Sequence, residues 1–131
     1  MREIVHTPNA PAAVGPYSQA IKISGLVYTA GQLGIDPATG SFAGSDVVAQ
    51  TRQAMQNLKA VLEAAGSGVK DIIKTTIFVT DLGDFKAVNA AYGEFLEAEG
   101  VSGPPARSTV EVSALPLGGL VEIEVVALAD A

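Results

Sequence analysis

Apolar residues recur along this chain with two different periods, and the changes of period mark its elements. From Val47, the positions Val48, Thr51, Met55, Leu58, Val61, Leu62 and Ala65 return at three- and four-residue spacing, with Arg52, Gln53, Gln56 and Lys59 between them. That spacing predicts a helix with one buried face. Asp46 is placed to accept its free N–H groups, and Gly66 to end it, because glycine enters the left-handed region at little cost. Farther on, Asp84 is expected to cap a shorter helix whose Phe85, Val88, Tyr92, Phe95 and Leu96 form the apolar stripe. Gly93 weakens that helix slightly.

Elsewhere the period is two or the run is unbroken. Ala20 to Ile23 and Leu26 to Thr29 flank Ser24 and Gly25, which predicts two strands joined by a tight turn at positive φ. The loop Asp36 to Gly40 breaks the chain before the first helix. Asp71 to Thr80 encloses the run Ile72 to Val79, too rich in β-branched residues to prefer helix, and it predicts a central strand. Ala106 to Val112 and Leu120 to Leu128 supply two more. The order strand, helix, strand, helix, strand, strand implies an α+β sheet with both helices on one face.

Alternation along the last two strands separates their faces. Ser108, Val110 and Val112 point one way and Arg107, Thr109 and Glu111 the other; Val121, Ile123 and Val125 oppose Glu122 and Glu124. If the apolar sides meet the helices, the remaining face carries one arginine, three glutamates and a threonine. Two readings of that face stand open at this point. Its charges form solvated pairs worth at most ~1 kcal/mol each, or Arg107 offers its planar fork of donors to a carboxylate while a nearby glutamate holds or polarises water.

Composition narrows the classes. At 131 residues the chain has the size of one domain, 1–131. It contains no cysteine, which removes disulfides, thiolate nucleophiles and thiolate metal sites. Eight scattered Lys and Arg residues and a net charge of −6 lack the basic footprint of a nucleic-acid binder. Nothing near the start reads as a signal peptide and no run approaches the ~20 apolar residues of a membrane span, so a cytoplasmic address is expected. The chain is 48% apolar and only 17% charged, a composition that suits an oligomer interface as well as a compact monomer. His6 is the one histidine, isolated from any second ligand, and is read as structural or incidental.

Several separate stretches, in order, resemble one family. Gly15-Pro-Tyr-Ser-Gln-Ala, Ala30-Gly-Gln, Asp71 to Leu82 with Asp84-Phe and Asn89, Pro104-Pro-Ala-Arg-Ser-Thr-Val-Glu-Val, Leu115-Pro and Val121-Glu-Ile-Glu are similar to the successive signatures of the Rid/YjgF family, and of its RidA subgroup in particular. The resemblance spans nearly the whole chain. It implies a single six-stranded mixed sheet with two helices on one face, as in chorismate mutase of the Bacillus type. It also implies a homotrimer with active sites in clefts between neighbouring subunits.

The activity implied is deamination of reactive 2-imino and enamine acids, such as 2-iminobutanoate and 2-iminopropanoate, to 2-keto acids and ammonia. Those compounds are released by pyridoxal-phosphate-dependent dehydratases, which gives a functional link to such enzymes; no cofactor or metal is required. By the same resemblance Arg107 grips the substrate carboxylate, Glu122 orients or activates the attacking water, and Tyr17 borders the pocket. Thr109 offers its backbone N–H to the carboxylate, Gly31 lets its backbone approach the ligand, and Asn89 on the second helix contributes to binding. For Arg107 the plain alternative is an ion pair with Glu122 or Glu124.

Many relatives carry serine at the position of Ala30 and cysteine at that of Thr109, so neither side chain's chemistry is available here. A different class of function remains beside the enzyme: a trimer that binds small carboxylic acids without turnover, as a metabolite sensor or as a regulator of a partner protein. A ribonuclease is a poor third, given the acidic charge and lone histidine.

Overall fold

The last apolar run of the chain, Val121 to Leu128, forms the strand at the middle of the sheet. In the structure, a computed structural model that describes residues 1–130, the elements are β1 (Glu3–Val5), β2 (Ala20–Ile23), β3 (Leu26–Thr29), β4 (Gln32–Leu33), α1 (Val47–Ala64), β5 (Ile72–Val79), α2 (Phe85–Ala98), β6 (Ala106–Glu111) and β7 (Val121–Leu128). The strands run β1-β2-β3-β7-β5-β6, and β4 also pairs with β7. Only β5 and β6 are parallel; the other pairs are antiparallel.

β3 and β4 share one lane. Tyr28 lies opposite Val126, whereas Gln32 lies opposite Ile123, so the register slips by one residue between them. Thr29 repairs the ladder there: its Oγ1 accepts from Val125 N at 3.0 Å and donates to Val125 O at 3.3 Å. Counted by lanes the sheet has six strands, as expected. The short strands β1 and β4 were not foreseen, because three or two residues carry too little pattern to be read.

β3 and β5 both run antiparallel to β7 and are therefore parallel to each other. A parallel pair needs a crossover, and α1 supplies it, as α2 does between β5 and β6. Crossovers of one hand lay both helices on one face. There Met55, Leu58, Val61 and Leu62 of α1 and Val88 and Leu96 of α2 pack on Ile77, Val79, Val121, Ile123 and Val125, all buried.

The local signals read from sequence take the expected form at three places. Ser24 and Gly25 adopt φ of 49° and 79° in the hairpin, Asp46 accepts from Ala49 N, and Gly66 sits at φ 75° beyond α1. The second cap is a correction. Asp84 makes no capping bond; Asp81 instead accepts from Gly83 N at 2.8 Å and opens a single 3₁₀ turn, Leu82–Asp84, that leads into α2.

The assignment of faces needs a larger correction. Arg107 and Thr109 lie beside Thr75 and Ile77 of β5, both fully buried beneath the helices. Arg107, Thr109 and Glu111 therefore share the helix-covered side, while Glu122 and Glu124 lie on the open side, opposite Phe78 and Thr76. Alternation separates two faces without saying which looks inward. On the edge strand β6 the apolar-inward rule fails, because its apolar Val110 joins Phe78 on an open face that is itself partly apolar.

Candidate active site in two halves

One half of the site is built by α2 and β6. Phe85, Asn89 and Tyr92 fall at i, i+4 and i+7, on one stripe of the helix. Arg107 rises from β6 against that stripe. Its guanidinium carbon lies 5.6 Å from the Phe85 ring centroid and 5.3 Å from that of Tyr92, and one terminal nitrogen donates to Asn89 Oδ1. Both rings are within reach of a cation–π attraction.

The Tyr92 hydroxyl is held in turn, 2.8 Å from Thr75 Oγ1 in the core. Burial raises the Tyr92 phenol above its ordinary 10.0, against the opposing effects of the Thr75 bond and the Arg107 charge. Arg107 has no acidic partner: the ion pairs among the described residues are Arg52–Glu94 and Lys59–Glu99. The pairing with Glu122 or Glu124 weighed from sequence is thus absent, and the two glutamates lie across the sheet. Thr109 stands on the same side as Arg107, its Oγ1 buried without a partner.

The other half is a cleft of about 280 Å³ on the far side, lined among others by Tyr17, Gly31, Leu117 and Glu122. The slip between β3 and β4 brings Gly31 against Glu122: a Cβ on Gly31 would stand 2.7 Å from Glu122 Cδ. Glycine is needed here for room, not for an unusual φ. Burial pushes the Glu122 carboxyl above its ordinary 4.5, and the charge of Glu124 adds to the shift.

The cleft wall over this floor is the loop before β2, and Gln19 holds it. Its buried side chain accepts from Thr7 N at 2.7 Å and donates to the carbonyls of Thr7, Ala10 and Pro11. Tyr17 borders the mouth, 52% exposed. Leu117, on the same lining, is 77% exposed at a φ of 59°. His6 is exposed just beyond β1, and no cluster able to hold a metal occurs among the described residues.

The structure thus brings Tyr17, Gly31 and Glu122 together, and Arg107, Asn89 and Thr109 together, but sets the two groups on opposite sides of one sheet. Sequence reasoning missed Phe85, Tyr92, Gln19 and Leu117. A signal existed for the first two: the seven-residue spacing that puts Phe85 and Tyr92 on one apolar stripe also places Asn89 on it, on the side toward β6.

The chain is similar to known proteins over nearly its whole length. The family model described as Endoribonuclease L-PSP matches residues 7–129. A RutC family protein of Haemophilus influenzae is 50% identical over 128 residues, covering 98% of each chain. The 2-iminobutanoate/2-iminopropanoate deaminase of Salmonella typhimurium is 49% identical over 128 residues, again 98% of each. The crystal structure of E. coli TdcF with bound serine superposes with a TM-score of 0.93 at 41% identity, covering 98% of this chain and 99% of that one.

Proposed function

The chain belongs to the Rid/YjgF family, whose model is described as Endoribonuclease L-PSP, and on that premise we propose that it hydrolyses 2-iminobutanoate, 2-iminopropanoate and related enamine acids to 2-keto acids and ammonia. The observation that carries the proposal is the division of the site. An uncompensated guanidinium lies on one side of the sheet, and a carboxyl with raised proton affinity lies in a cleft on the other. One chain cannot bring them to one small molecule, so the working site joins Arg107, Asn89 and Thr109 of one subunit to Tyr17, Gly31 and Glu122 of a neighbour.

The assembly proposed is a homotrimer. Its support is the open face of the sheet, where Ile4, Tyr28, Val110 and Leu128 are exposed beside half-buried Phe78 and Val126. Apolar surface of this extent on a sheet face calls for a covering partner.

In the reaction Arg107 takes the substrate carboxylate in two charge-assisted hydrogen bonds, helped by the Thr109 backbone N–H. Water held by Glu122 attacks C2 of the iminium. Its oxygen bonds to that carbon, one proton passes to the Glu122 carboxylate, and the proton is returned to the departing amine. The C2–N bond then breaks as the hydroxyl gives its remaining proton to the Glu122 carboxylate, so that C=O replaces C=N and ammonia leaves. The carbon is electrophilic at the outset, so positioning and charge compensation suffice. Tyr17 shields the cleft from bulk water.

Two relatives lend support: one carries the deaminase name, and the TdcF structure binds serine, itself a small carboxylic acid. The net charge of −6 speaks against RNA as the substrate despite the family description. No helix among the described residues is long and apolar enough to cross a membrane; a cytoplasmic address and a link to pyridoxal-phosphate-dependent dehydratases complete the proposal.

The test couples the protein to a threonine dehydratase and follows 2-ketobutyrate formation against trapping of the imine by semicarbazide. Wild type is expected to outpace trapping, and Arg107→Ala to lose about a hundredfold in kcat/KM. No acceleration by wild type, or full activity in the variant, sinks the proposal. Saturable binding of 2-ketobutyrate without turnover would point instead to a sensor of small acids.

A further inference from the structure

We infer that Phe85 and Tyr92 are positioning residues that hold Arg107 as a preformed carboxylate receptor, fixing its guanidinium with aromatic faces so that its charge stays free for the ligand. The inference rests on the proposed role of Arg107 as the substrate grip and adds how that grip is kept ready.

A guanidinium on a long side chain loses rotamer freedom when it binds, and immobilising it beforehand removes that cost from binding. The usual way to immobilise an arginine is an aspartate or glutamate. Such a partner would occupy the same fork of donors and cancel the charge that a substrate carboxylate needs. Here the neighbours are two rings and a neutral amide oxygen, with no acid paired to it among the described residues. The negative faces of the rings attract the cation without neutralising it. Asn89 engages one terminal nitrogen and leaves the remaining donors unspent.

Two features separate this arrangement from ordinary packing. Phe85 is the first residue of α2 and 40% exposed, so it lies largely outside the core and covers the guanidinium instead. Tyr92 is fixed by its bond to Thr75, the residue beside Arg107 in the β5–β6 register, so ring and cation are anchored to the same rung of the sheet.

The experiment compares Phe85→Leu, which keeps apolar bulk but removes the ring face, with Phe85→Tyr, which keeps the face. Calorimetry measures the dissociation constant of 2-ketobutyrate for each intact protein, the coupled assay gives KM and kcat, and thermal unfolding checks the fold. Phe85→Leu is expected to weaken acid binding and raise KM about tenfold with kcat nearly unchanged. Phe85→Tyr is expected to match wild type. Equal binding by the leucine variant and wild type, a tyrosine variant as weak as the leucine one, or no binding by wild type overturns the inference. The binding arm decides it alone: a wild type without imine hydrolysis removes the proposed activity, while the clamp stands or falls on the ring.

Discussion

Glu122 is the residue whose chemistry depends most on its surroundings. Burial, and then the like charge of Glu124, raise its carboxyl above 4.5, so the native protein holds that proton more firmly than the unfolded chain. The sign follows by linkage: the contribution of Glu122 to stability is full below its unfolded value and is lost as pH rises through the folded one. Glu122→Gln is therefore expected to unfold at a higher temperature than wild type near neutrality, with the gap closing below pH 4.5, as thermal unfolding across a pH series will record. If Glu122 handles the proton of the attacking water, kcat/KM falls on the acid side with an apparent pKa raised from the ordinary 4.5. Glu124→Gln should move that limb to lower pH, and an unmoved limb would assign it to another group. The burial behind this shift was not legible around Val121 to Glu124, because Gly31 packs over the carboxyl from across 90 intervening positions.

At the scale of elements, α1 was the most legible part of the chain, since its eighteen residues repeat the apolar period several times and both ends carry working caps. α2 was legible in its stripe but not in its start, where the backbone made its turn one step earlier on Asp81. β6 was legible as a strand and misread in facing: an edge strand touches one neighbour in the sheet, and its inward side was paved by aromatic and amide groups of α2 instead of aliphatic core. A contact between elements that no periodicity reveals is that of β4 with α1. Beyond β4, a Cβ on Gly34 would stand 2.5 Å from the backbone of Gln50, while Gln50 Oε1 accepts from Leu120 N and Asn57 donates to the carbonyls of Leu33 and Ile35. A backbone cannot retreat as a flexible side chain does. Gly34→Ala is expected to cost about 1–3 kcal/mol in urea unfolding, and an unchanged midpoint would show that α1 and β4 can separate without loss.

For the whole molecule, the composition carried one legible hint, an apolar share of 48% in a chain of 131 residues, and the structure places much of the exposed part on the open face of the sheet. The division of the site was not legible. Arg107 and Glu122 are fifteen positions apart in sequence, on strands separated only by β5, and only the facing of β6 decides whether they meet within one chain. Because they do not, the mixing of subunits has a definite expected yield. Arg107→Ala and Glu122→Ala proteins, each inactive alone, are unfolded together in equal amounts, refolded and measured for imine hydrolysis. Roughly three-quarters of random trimers are mixed and each mixed trimer regains one intact cleft of three, so about a quarter of wild-type activity should return. A refolded mixture as inactive as its two components would contradict a site shared between subunits.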